Sequence, residues 1–77
     1  MINDEMIKEK ANFYFNNQQK VHITLIKSLF YNGIIQRLGG SNLVVLDEKL
    51  GDVFLSYNEI YNIEPFIKDE KKEDNVL

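Results

Sequence analysis

Seventy-seven residues with a formal net charge of −3, from 12 acidic and 9 basic side chains, allow one small domain and exclude a broad phosphate-binding surface. Such surfaces work through Lys and Arg that displace counterions, and even without its last twelve positions this chain keeps more acids than bases. With no cysteine and a single histidine, neither a disulfide framework nor a structural zinc site can reinforce a chain that buries only about 60% of its unfolded surface, which leaves self-association as the means of support.

Asn3, Asp4 and Glu5 stand where a secretory signal would be basic and then apolar, and the longest apolar run is Leu43 to Leu46. A soluble, cytoplasmic protein is expected. Ile2, Met6, Ile7, Lys10 and Ala11 fall at helical spacing, Asn3 or Asp4 can cap, and Glu5 suits a first turn, so a short amphipathic helix is predicted over about 2–12. Phe13, Tyr14 and Phe15 follow without a clean period and fit either an extension of the buried stripe or the start of a strand. Asn16-Asn17-Gln18-Gln19 reads as a polar connection.

From Val21 the period becomes two: Val21, Ile23 and Leu25 point one way, His22, Thr24 and Ile26 the other. Lys27-Ser28 is a tight turn. Phe30 to Leu38 forms a longer second strand that bends at Gly33, where the missing Cβ permits a kink or a close backbone approach. Gly39-Gly40 is expected to reverse the chain with positive φ. Leu43 to Leu46, apolar on both faces, is a third and central strand. Asp47 to Asp52 is a charged loop with Gly51 at its turn. Val53, Leu55 and Tyr57 alternate with Phe54 and Ser56 in a fourth strand, Asn58-Glu59 connects, and Ile60, Tyr61 and Ile63 make a fifth that Pro65 closes. The charged residues from 67 to 77 read as a flexible tail behind a single domain over 1–66.

A helix followed by five short strands, with a glycine kink in the second, resembles the Sm-like family. Val21-His22-Ile23-Thr24-Leu25, Gly33-Ile34-Ile35 and Asn42-Leu43-Val44-Val45-Leu46 fall where that family's first motif places its strands and glycine. Val53 to Pro65, ending Ile63-Glu64-Pro65, resembles its second motif. Loop lengths are closer to the bacterial Hfq branch than to the eukaryotic or archaeal ones. The fold class implied is mainly β: a short N-terminal α-helix and a strongly bent five-stranded antiparallel barrel. The resemblance also implies a homo-oligomeric ring in which the fourth strand of one copy pairs with the fifth of the next, and loops around a pore that bind single-stranded RNA.

Carried onto this chain, the RNA-facing positions are Arg37, Gly40, Ser41, Asn42, Tyr57 and Asn58. Asn42, Tyr57 or Asn58 can hydrogen-bond or stack on a base, and Arg37, the single arginine, can meet phosphate. Several family determinants are replaced. Gly39 stands where an aspartate is usual, Ser41 where a base-stacking side chain is usual, and Ser56-Tyr57-Asn58 where the second motif is basic. Each position therefore also has a plain structural reading, Ser41-Asn42 as a hairpin turn, Tyr57-Asn58 as a strand end beside a packed tyrosine, Arg37 as a solvated strand residue. His22, with no cysteine or second histidine in the chain, reads as an exposed strand residue and not as a catalyst or metal ligand. No nucleophile and base pair, metal cluster or phosphate loop is present, so no enzyme, metal or cofactor is expected. Two functions stay open: a ring-forming RNA-binding module, and a ring that serves as a structural or protein-interaction scaffold.

Overall fold

A computed structural model describes residues 4–67; Ile2 and Asn3, and the expected tail from residue 68 onward, lie outside the described residues. Helix α1 (Asp4–Asn16) opens with Asp4 and Glu5, whose charge suits the positive end of the helix dipole. It runs beyond the predicted end near Asn12 because Tyr14 and Phe15 lie three and four positions after buried Ala11 and prolong the stripe begun by Ile7. The aromatic triplet thus extends the helix. The end is sharp. Gln19 N–H donates to the Tyr14 carbonyl at 3.0 Å and Gln18 N–H to that of Phe15 at 3.1 Å, while Gln18 takes φ 51°, the left-handed position that usually goes to glycine.

Five strands follow: β1 (Lys20–Leu25), β2 (Phe30–Leu38), β3 (Asn42–Asp47), β4 (Gly51–Ser56) and β5 (Ile60–Pro65), with a 3-10 turn at Tyr57–Glu59 between the last two. All pairings are antiparallel and the order across the sheet is β4-β3-β2-β1-β5. The β1–β2 reversal is closed by Leu25 N–H donating to the Leu29 carbonyl at 2.8 Å, with Ser28 at φ 68° in the left-handed corner. Tyr57, expected at the end of the fourth strand, is instead the first residue of the 3-10 turn, although it still points inward at 4% exposure.

β2 is the pivot of this sheet. Its first half pairs with β1, from Thr24↔Phe30 to Lys20↔Ile34, and its second half pairs with β3, from Gly33↔Asp47 to Leu38↔Leu43. The two ladders overlap at Gly33 and Ile34. At that point β3 crosses so closely that a Cβ on Gly33 would stand 1.9 Å from the Leu46 carbonyl oxygen, a backbone atom that cannot swing aside. An irregularity between Ile35 and Arg37 adds to the bend. The bent strand folds the sheet over, so that Val21, Ile23 and Leu25 of β1, Ile35 of β2, Leu43 and Val45 of β3, Leu55 of β4, and Ile60 and Ile63 of β5 enter one core. Ile7 and Ala11 of α1 join it at one end. Leu43 to Leu46 is apolar on both faces as expected: Val44 is also covered, whereas Leu46 is 44% exposed.

The positive φ expected at Gly39-Gly40 does not occur, since among the described glycines it is found at Gly51, φ 84°. Gly39 N–H donates to the Asn42 carbonyl at 2.7 Å, and a Cβ on Gly39 would meet Asn42 Oδ1 at 2.8 Å. This reversal uses the small size of glycine, not its handedness.

Asp47, buried at the end of β3, organises the turn into β4. Its Oδ1 accepts from the N–H groups of Lys49 (2.7 Å) and Leu50 (2.9 Å), and its Oδ2 from that of Asn32 (3.1 Å). Burial raises its pKa, but the three N–H donors and the charge of Lys49 together outweigh that and hold the carboxyl below the usual aspartate range. A folded-state pKa below the unfolded one means that the ionised form stabilises the fold above about pH 4, and that this is lost as pH falls through the folded value.

Two measurements check these assignments by chemical denaturation. Gly33→Ala is expected to cost about 3 kcal/mol or more, whereas Gly40→Ala, with open space around its Cβ, should stay within about 0.5 kcal/mol of the native chain. Asp47→Ala should cost about 2 kcal/mol at neutral pH, with the gap narrowing as pH is lowered below about 4.

Candidate nucleic-acid interface

The β2–β3 loop and the 3-10 turn are distant in sequence and fastened together in space. Register alignment places Asn42 opposite Ser56, which brings the end of β4 beside the start of β3. Tyr57 then makes the junction with both ends of its residue: its N–H donates to the Ser41 carbonyl at 3.1 Å, and its phenol O–H donates to the Gly39 carbonyl at 2.9 Å. The Glu59 carboxylate accepts from Ser56 N–H at 3.0 Å, and Ile26 N–H donates to the Glu59 carbonyl at 2.9 Å, fixing the turn to the β1–β2 reversal as well. Burial pushes the Tyr57 phenol above its ordinary value, so it stays a neutral donor.

Helix α1 closes the third side. Lys8 extends its ammonium to 5.5 Å from the centre of the Tyr57 ring, a cation–π contact. The result is an open cleft of about 330 Å³ walled by Asp4 and Lys8 from the helix, Gly40 and Ser41 from the loop, and Ser56, Tyr57 and Asn58 from the turn. Short polar groups dominate its wall, and its two charged members have opposite sign. It offers hydroxyl, amide and backbone hydrogen bonds with no excess of positive charge.

Of the residues singled out in the sequence, Gly40, Ser41, Tyr57 and Asn58 come together here. Tyr57 is a buried wall whose hydroxyl proton is committed to Gly39, not an open platform for a base. Asn42 lies exposed at the base of the loop, its side-chain oxygen close to Gly39, and is not part of the cleft wall. Arg37 is exposed on β2 opposite Val44, also away from the cleft. Sequence reasoning missed Asp4, Lys8 and Ser56. Asp4 and Lys8 are one helical turn apart and share a face, but nothing in a helix's own pattern says which end of a barrel it will cover.

His22 projects from the outer face of β1, where its Nδ1–H donates to Asn32 Oδ1 at 2.6 Å and its ring lies 5.1 Å from that of Phe30. Among the described residues no group of three potential metal ligands converges. No helix of the described residues is long and apolar enough to cross a membrane.

No family model matches the sequence, and no curated protein does. The architecture is nevertheless similar to a solved one, the crystal structure of the pleiotropic translational regulator Hfq. The likeness has a TM-score of 0.66 over 75% of this chain and 95% of that one, at 10% sequence identity. At that identity the likeness speaks for the fold, and the fold is the Sm-like one expected from the two motifs.

If Tyr57 is the fastening, Tyr57→Phe should keep the packed ring but lose about 1 kcal/mol of stability, measured by denaturation. Amide exchange should quicken at Gly39 and Asn42 while the β1–β5 ladder is unaffected.

Proposed function

We propose that the chain assembles into a homomeric ring and binds short single-stranded RNA, without chemistry of its own, in the clefts formed by the Gly39 to Asn42 loop and the 3-10 turn. The observation that carries this reading is the sheet order. It leaves β4 and β5 as the two edges, each with an outward aromatic, Phe54 at 71% exposure and Tyr61 at 61%. Unpaired edges invite strand addition, and β4 of one copy meeting β5 of the next is a head-to-tail contact that a suitable rotation closes into a ring. Each copy would then turn its cleft toward the pore. The structural similarity to a translational regulator supports RNA as the partner.

In this reading Gly40, Ser41 and Asn58 contact the strand, Tyr57 positions them, and Asn42 and Arg37 meet the chain as it leaves the cleft. A cytoplasmic location accompanies it. The second reading, a ring that serves as a scaffold for other proteins, draws on the near-neutral cleft and on the placement of Arg37 outside it.

Light scattering should give a mass several times that of one chain, and a monomer would overturn both readings. Oligoribonucleotide affinity should fall with salt with a log–log slope of only about −1 for each cleft engaged, as befits a single cation, Arg37, meeting the phosphates there. Ser41→Ala combined with Asn58→Ala should weaken binding about tenfold at unchanged ring mass. A ring that binds no oligoribonucleotide even at low salt leaves the scaffold.

A further inference from the structure

The odd member of the cleft is Asp4. A carboxylate repels phosphate and cannot donate a hydrogen bond, so it works against the sugar–phosphate backbone and offers acceptors alone. Lys8, one helical turn away on the same wall, forms no salt bridge with it: the Lys8 ammonium sits over the Tyr57 ring, and the single salt bridge among the described residues is Lys20 with Glu48, elsewhere on the barrel. The cleft therefore presents a carboxylate with no salt-bridge partner among the described residues, on a wall shared with Ser41 and Asn58. A ligand for such a place must bring donors to the carboxylate while keeping its own negative charge outside.

Among the four RNA bases one edge meets that demand. Guanine carries N1–H and the N2 amino group side by side, two parallel donors that match the two oxygens of a carboxylate. Adenine and cytosine each set a donor beside an acceptor, and uracil has one N–H between two carbonyls, so each would place a lone pair against the acid. The lysine on the same wall suits guanine's O6 acceptor.

We infer that Asp4 is a specificity-determining residue of the cleft, and that it selects an unpaired guanine through that base's N1–H and N2 amino edge. This rests on the RNA reading given above and adds a base preference to it. The strand enters base first, its phosphates held away from the acid.

The test uses the full chain and short uridine-rich oligoribonucleotides that differ at one central base, G, A, C or U, with affinities taken at two salt concentrations. The native chain should favour the G oligonucleotide by about tenfold, the scale of one bidentate contact. Asp4→Asn keeps the shape but sets an N–H where an acceptor was, and should erase that preference while leaving ring mass and folding unchanged. A native chain that binds all four equally overturns the guanine assignment and leaves RNA binding standing. Binding that Asp4→Asn strengthens by one common factor for every base also overturns it, because Asp4 would then act as a repelling charge and nothing more. Failure of the native chain to bind any of the four removes the RNA reading itself, and this inference with it.

Discussion

The passage of β3 over Gly33 is the contact on which the rest of this small fold depends. One strand serves two ladders only if it can turn between them, and it turns where the Leu46 carbonyl occupies the space that any side chain would need. Without the turn, nine inward residues from five strands would lie along an open sheet with one face in water, and a chain this short has no second layer large enough to cover them. With it, the sheet supplies most of its own cover, and α1 needs to add only Ile7 and Ala11 at one end.

The bend also decides where the ends of the sheet go. Because β2 is shared, β3 and β4 swing to one side and β1 and β5 to the other, and the 3-10 turn must carry the chain from one edge to the opposite edge. That turn is the place where the loop, the helix and the two edges approach one another. The cleft is thus a by-product of how the sheet folds over, and its hydrogen bonds through Tyr57 are structural before they are functional. An RNA site built there inherits rigid backbone from the fold and needs only a few outward side chains of its own.

Much of this was legible in the sequence, and the parts that were not share a cause. Strand periods, the kink at Gly33 and the inward set from Val21 to Ile63 could be read because a half-buried strand writes its environment into every second residue. The helix end could not, because the left-handed cap falls on Gln18 where a pattern reader waits for glycine, and the β1–β2 corner likewise falls on Ser28. Conversely, Gly39-Gly40 invited a positive-φ turn that the chain does not make. The candidate site was half legible. Motif position brings Gly40, Ser41 and Asn58 to attention, and these line the cleft, while Asp4 and Lys8 reach its wall only by the docking of a helix whose partner surface is set by tertiary packing. Arg37, the single arginine and three residues before Gly40, stands on β2 opposite Val44 and does not line the cleft.

An acidic chain with one lysine per cleft faces an affinity problem that the proposed ring addresses. A few neutral hydrogen bonds, each of about 1 kcal/mol net, bring a single site only to the millimolar range once the cost of ordering a flexible strand is counted. Identical clefts repeated around a pore change the arithmetic: after the first nucleotide is held, the next one meets its cleft at an effective concentration in the millimolar range, comparable with the single-site Kd, so each added cleft strengthens binding a few-fold and several together reach about 10² without new contacts. Strand pairing between copies and recognition within each cleft are then not separable properties. Under the proposal, the exposed aromatics of β4 and β5, far from any nucleotide, would serve binding indirectly, by holding weak sites at the spacing that makes them strong together.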